Sequence, residues 1–167
     1  MIRPAKKTEI PRLRDIERAA GRLFIDLDMT AVAEDEPPSP ELLRKFIEGG
    51  RAWVHVDEQD GPVAYALAEL VDGCAHIEQV SLDPAHSGKR IGAGLVEHIA
   101  DWARTQDAEA LTLTTFTDVA WNGPYYERRG FRWLTEGELT PGLREIRAAE
   151  AAHGLDRWPR GCMRREL

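Results

Sequence analysis

The chain has 167 residues, 43% of them apolar and 31% charged, with a formal net charge of −7. That length predicts one domain, 1–167, with a core large enough to need no covalent staples, and the composition is that of an ordinary globular protein. The negative charge argues against a nucleic-acid partner, the lack of a long apolar run against a membrane span, and the lack of a leader pattern against secretion. Two distant cysteines, Cys74 and Cys162, form no disulfide framework, which predicts a reducing compartment, the cytoplasm.

In chain order, "IRPAKK" reads as a short strand. Thr8 is the expected cap of a helix carrying Ile10, Leu13, Ile16 and Ala20 at helical spacing. "FIDLDMTAVAEDEPPS" has broken periodicity and reads as a loop. Ser39-Pro40-Glu41 starts the next helix with a capping hydroxyl, a first-turn proline and an acid at the positive dipole end, and Gly49-Gly50 stops it. Three strand-like runs follow, "RAWVHVD", "PVAYALAELV" and "CAHIEQVSLDP". The turns Asp60-Gly61 and Asp72-Gly73 join them into an antiparallel meander. Ile91, Leu95, Ile99 and Trp102 mark one stripe of a further helix, and "LTLTTF" is a strand parallel to the one before it, because a helix crossover joins the two. "GPYYERRGF" is a short helix with Gly130 as its left-handed stop. "FRWL" opens a strand, "PGLREIRAAEAAHGL" reads as a helix near 141–153, and "RGCMRREL" closes the sheet. The fold class is mixed α/β (α+β).

The segment "SLDPAHSGKRIGAGLVEHI" turns from a strand into a helix through a basic, glycine-bearing loop. A helix start offers unpaired backbone N–H groups and partial positive charge, so Lys89 and Arg90 at that point call for an anion. No Walker A motif exists in the chain. "GAGLVE" places Glu97 where a dinucleotide fingerprint needs its third glycine, and the meander lacks that fold's repeated βαβ halves. No second ligand pair accompanies Cys74 and His76 at zinc spacing, and no G-x-S-x-G elbow supports a hydrolase.

"HIEQVSLDPAHSGKRIGAGLVEHI" followed by "LTTFTDVAWNGPYYERRGF" resembles the GNAT superfamily of acyl-CoA-dependent N-acyltransferases, most specifically over residues 76–134. The family loop [QR]-x-x-G-x-[GA] is represented by "SGKRIG". Ser87 replaces the Gln/Arg, Arg90 replaces the first glycine, and Gly92 is kept. Tyr126 stands before Gly130-Phe131 as in the second family signature, and the order of elements matches, with the helix before the last strand as an embellishment. The resemblance implies a mostly antiparallel sheet flanked by helices and acetyl-CoA as co-substrate. Its pyrophosphate would sit on the backbone of Ser87, Gly88, Lys89, Arg90, Ile91, Gly92 and Ala93, and its pantetheine arm along Val80, Ser81 and Leu82. The arginine at 90 costs little unless that position requires a positive φ. Asn122 either caps the short helix or bonds the pantetheine amide.

Transfer to an amine has two proton problems. An alkylammonium needs a base before it can attack, and the departing thiolate is helped by a donor. The resemblance assigns the donor to Tyr126. Glu78 is the expected base, two residues before Val80 on one sheet face, with a partly buried setting to raise its pKa; His76 is the alternate. Trp53 and Trp121 are read first as core, second as acceptor-pocket walls. The acceptor is a primary amine. A cationic one would suit the acids Asp26, Asp28, Glu34, Asp35 and Glu36 in the loop that the resemblance puts on the acceptor side. No metal is expected, and homodimerisation is implied by the family alone. The alternative reading is a non-catalytic acyl-CoA-binding sensor or interaction module on the same fold.

Overall fold

Strand pairing follows the turns that the sequence supplies. In the computed structural model, which describes residues 1–167, Asp60 has φ 62°, and Asp72 and Gly73 have φ 51° and 81°. Those left-handed residues close tight connections between strands β2 (Ala52–Val56), β3 (Pro62–Val71) and β4 (Cys74–Leu82). With β1 (Ile2–Pro4), β5 (Ala110–Phe116), β6 (Arg132–Trp133) and β7 (Arg160–Glu166) they make a seven-stranded sheet in the order β1-β2-β3-β4-β5-β7-β6. Of the pairs with β5, the one to β4 is parallel and the one to β7 antiparallel. The helices are α1 (Ile10–Gly21), α2 (Thr30–Ala33), α3 (Pro40–Glu48), α4 (Ile91–Thr105), α5 (Gly123–Glu127) and α6 (Pro141–Ala152). The fold is a mixed α/β one, and no helix is long and apolar enough to cross a membrane.

The chain divides into two compact units, Met1–Ala68 with Glu78–Ile99, and Glu69–Ile77 with Ala100–Leu167. In the first, α1 and α3 lay Leu13, Ile16, Leu43 and Phe46 against Val54 and Leu67 in one buried cluster. Helix α3 starts as its residues dictate: the Ser39 hydroxyl accepts the Leu42 N–H at 3.1 Å, and Pro40 and Glu41 fill the first turn. In the second unit β5 pairs with β7 from Ala110↔Glu166 to Phe116↔Arg160, so the strand read as closing the sheet does so from inside, between β5 and β6. Helix α6 is fixed at its start by Thr140, whose hydroxyl accepts the Leu143 N–H, and by Asp72, which accepts the Gly142 N–H at 2.8 Å. A side chain on Gly142 would meet Val71 Cγ1 at 2.5 Å, so only glycine permits that approach.

Two expectations change. The segment read as a loop holds a 3₁₀ helix, Arg22–Leu27, and the four-residue α2, neither of which has a clear apolar period to announce it. Thr8 caps nothing. A 3₁₀ turn, Lys7–Glu9, precedes α1, and the Glu9 carboxylate serves its start by accepting the Lys6 N–H at 2.8 Å while Arg3 grips the same carboxylate.

Candidate active site

Strand β4 pairs with β5 only at Ala75↔Leu111 and His76↔Thr112. Its second half, with Val80, Ser81 and Leu82, therefore keeps one backbone edge outside that ladder, with its N–H and C=O groups available for a ligand. The strand then enters the loop under firm control. The Asp83 N–H bonds the Val63 carbonyl at 2.9 Å, its carboxylate accepts the Ala85 N–H at 3.1 Å, and Arg12 pairs with it at 3.0 Å. Gly88 has φ 83° and Arg90 φ 57°, with Lys89 between them on the negative side. Alternation of this kind turns successive N–H groups toward one side and makes an anion-binding concavity. The first bond of α4 runs from the Gly94 N–H to the Arg90 carbonyl at 3.1 Å, so the N–H groups of Ile91, Gly92 and Ala93 face outward from the helix start. The predicted residues from Ser87 to Ala93 are thus gathered on one turn of chain, whose chemistry suits a pyrophosphate. Lys89 also lines an open cleft of about 730 Å³ with His55 and His86.

Arg90 corrects one expectation. The position does require a positive φ, so the arginine there is strained where the family has glycine. Arg90→Gly is expected to raise stability by about 0.5–1 kcal/mol, the left-handed penalty less the added freedom of the unfolded glycine. On the expectation that this loop holds a pyrophosphate, it should also weaken phosphate binding through the lost guanidinium. Thermal melting and acetyl-CoA titration of the variant check the two halves separately.

Asn122 and Tyr126 belong to the second unit. Asn122 precedes α5 but its side chain does not cap it; its Oδ1 accepts the Thr115 hydroxyl at 2.7 Å. Gly130, at φ 88°, stops the helix, and the Phe131 N–H returns to the Tyr126 carbonyl at 3.1 Å. The Tyr126 ring stands edge-on to Tyr125 and Phe131, with centroids at 5.2 and 5.5 Å. Burial, reinforced by Tyr125, holds its phenol well above the usual tyrosine range, so it is a hydrogen-bond donor at every physiological pH.

Glu78, in the first unit, is exposed. The desolvation that the sequence reading called on for this carboxylate is therefore not supplied. His76 is 2% exposed, shares its Nδ1 with the Thr112 hydroxyl at 2.8 Å, and is pushed down to about 4 by burial against the pull of Glu150. It is a neutral, partnered core residue at pH 7.

The model of the acetyltransferase (GNAT) family matches residues 12–131. The chain belongs to the GNAT acetyltransferase family. Solved structures agree on the fold. A GNAT-family acetyltransferase from Staphylococcus aureus Mu50 superposes with a TM-score of 0.77 at 14% identity, over 100% of this chain and 98% of that one. The PaiA N-acetyltransferase of Thermoplasma acidophilum, solved with coenzyme A, gives 0.73 at 13% identity over 100% and 98%. N-acetylglutamate synthase from Neisseria gonorrhoeae, solved with coenzyme A and N-acetyl-glutamate, gives 0.71 at 20% identity. The match covers 100% of this chain but 35% of the synthase.

One residue of this chain was not predicted from its sequence. Glu17, on α1, accepts the Tyr65 hydroxyl at 2.9 Å, the Gln79 amide at 3.0 and 3.2 Å, and the Ser81 hydroxyl. Burial, with Asp35 adding to it, raises its pKa. The signal was present: Glu17 stands four residues after Leu13 and seven after Ile10, on the apolar stripe itself, where a carboxylate needs partners. Of the two tryptophans, Trp53 is core, 5% exposed and edge-on to His98, whereas Trp121 is 38% exposed, against the core reading. In the acidic segment Glu36 pairs with Arg14 at 3.7 Å.

Proposed function

We propose that this acetyltransferase moves an acetyl group from acetyl-CoA to a primary amine by direct attack with both substrates bound. The observation that carries this is continuous along one stretch of chain: a strand edge outside its ladder at Val80–Leu82 runs into the left-handed turn at Gly88 and Arg90 and then into the open start of α4. An extended amide-bearing arm ending in a pyrophosphate matches that order of groups, peptide-like bonds first and anion cradle second. Coenzyme A bound to structural relatives supports the same reading.

In this reading the β4 edge hydrogen-bonds the pantetheine amides and polarises the thioester carbonyl, while the N–H groups at residues 88–93 hold the phosphates. Tyr126 donates a hydrogen bond to the sulfur as negative charge builds there. Its raised pKa means full transfer to a thiolate of pKa roughly 8–9 is uphill, so stabilisation in place is its contribution. Glu78, exposed beside Val80, takes the amine proton directly or through water. The domain 1–167 works as one acetyltransferase module, and an acceptor with positive charge suits the acidic segment 26–36.

Calorimetric titration with acetyl-CoA tests the reading, with adenosine diphosphate as the companion ligand. Saturable acetyl-CoA binding is expected, followed by thiol release when amines are screened. Binding without turnover on any amine would favour a sensor over an enzyme, and folded protein that ignores acetyl-CoA would refute both. Glu78→Gln is expected to lower turnover about tenfold or more near neutrality and to lose less at high pH, where the amine sheds its own proton. A rate profile parallel to wild type from pH 6 to 10 would remove Glu78 from the mechanism.

A further inference from the structure

We infer that Glu17 is a positioning residue for the acyl-CoA-binding strand: by gripping Gln79 and Ser81 together it fixes the backbone edge of Val80 that lies between them. This rests on the acyl-CoA reading above. Alternate residues of a strand point to the same face, so the side chains of Gln79 and Ser81 share one side of β4. Both reach the same carboxylate, and the Gln79 amide also donates to the Ser81 hydroxyl at 2.8 Å. Two tethers on either side of Val80 oppose rotation of the strand about its own axis, the motion that would swing the Val80 N–H and C=O groups away from a ligand.

The anchor end is equally well held. Tyr65, on β3, is fully buried and donates to the same carboxylate at 2.9 Å, so α1, β3 and β4 meet at Glu17. Tyr65, Gln79 and Ser81 are all neutral donors. The arginines of α1 are engaged elsewhere: Arg12 on Asp83, Arg14 on Glu36, and Arg18 on Asp15. A half-buried carboxylate held by hydroxyl and amide donors, with no ion pair, has given up solvation in exchange for directed bonds. Those bonds converge on the strand segment that holds the thioester in the reading above, which is where geometric tolerance is smallest.

The prediction separates the two parts of the ligand. Glu17→Gln keeps shape but replaces an acceptor oxygen with a donor that opposes Ser81, Tyr65 and Gln79. In folded variant protein, acetyl-CoA affinity is expected to fall about tenfold while adenosine diphosphate, which engages the loop at 87–93 but not the strand, binds as to wild type. Ser81→Ala, which removes one tether and little packing, should show a smaller loss of the same kind. The double variant should be no worse than Glu17→Gln alone, since both changes cut one network. Hydrogen exchange across residues 78–82 should quicken in both single variants. Unchanged acetyl-CoA affinity in folded Glu17→Gln would overturn the proposal, as would equal losses for both ligands. If Glu17→Gln does not fold, Ser81→Ala decides by the same ratio, and unaltered affinity and exchange there would be fatal to it. Wild-type protein that fails to bind acetyl-CoA would refute the acyl-CoA reading instead.

Discussion

Tyr126→Phe is expected to reduce turnover about a hundredfold, the usual scale for losing one positioned proton donor, while leaving acetyl-CoA affinity within a factor of two or so of wild type. The ring contacts with Tyr125 and Phe131 need no hydroxyl, so the variant keeps its packing and, on the function proposed above, loses only the hydrogen bond to sulfur. The loss should appear in kcat rather than KM, because that bond strengthens only as the carbon–sulfur bond breaks. An acyl donor with a more acidic thiol needs less help on departure and should recover part of the rate. Initial rates of thiol release with a working amine measure both effects, and a variant with wild-type kcat would exclude the phenol from the chemistry.

The largest stability effect is expected at Glu150. This residue of α6 pairs with Arg160 of β7 at 2.9 Å and with Arg147 at 2.8 Å, and it accepts the Thr114 hydroxyl of β5. The side chains of Glu150, Arg160 and Arg147 are only 15%, 11% and 18% exposed. Glu150→Gln leaves Arg160 poorly compensated in a half-dry setting, and breaking a buried pair in this way costs about 3 kcal/mol. For a chain of this size that lowers Tm by roughly 6–12 °C. Burial pushes the Glu150 carboxyl up, but Arg160, Thr114 and Arg147 outweigh it and hold the group below its ordinary value of 4.5. A carboxylate with a depressed folded pKa stabilises fully above its unfolded pKa, and that stability is lost as pH falls through the folded pKa. The gap in Tm between wild type and Glu150→Gln should therefore be widest near neutrality and narrow below about pH 4. A pH-independent gap would assign the loss to packing rather than charge.

Helix α3 and the Gly130 stop were legible because each is written in a few adjacent residues: a capping serine with proline and acid behind it, and a glycine needed at φ 88°. The meander was legible for the same reason, from Asp60-Gly61 and Asp72-Gly73. The glycine-bearing loop at 87–93 was legible in part. Its glycines and cations could be read in order, but that Arg90 occupies a left-handed position is a property of the folded turn, and it meets the one condition under which the arginine is costly. Glu17 shows the opposite case, a residue whose place on the apolar stripe could have been noticed but whose partners lie 48 to 64 positions away. The glutamate and the histidine of β4 show why burial is hard to read locally. Glu78 and His76 stand two apart on one strand, yet one is exposed and the other has 2% of its surface open.

By itself, then, the amino-acid order determined the strands and the helices other than α2 and the 3₁₀ turns, their sequence along the chain, and the loop chemistry that suits a pyrophosphate, because turns, caps and periodicity act over a few residues. Tertiary structure alone decided where β4 leaves its ladder after His76, how β7 inserts between β5 and β6, and which carboxylates are desolvated. Those outcomes depend on contacts between distant segments, and local patterns carry no information about which partner a strand edge or a buried charge will meet.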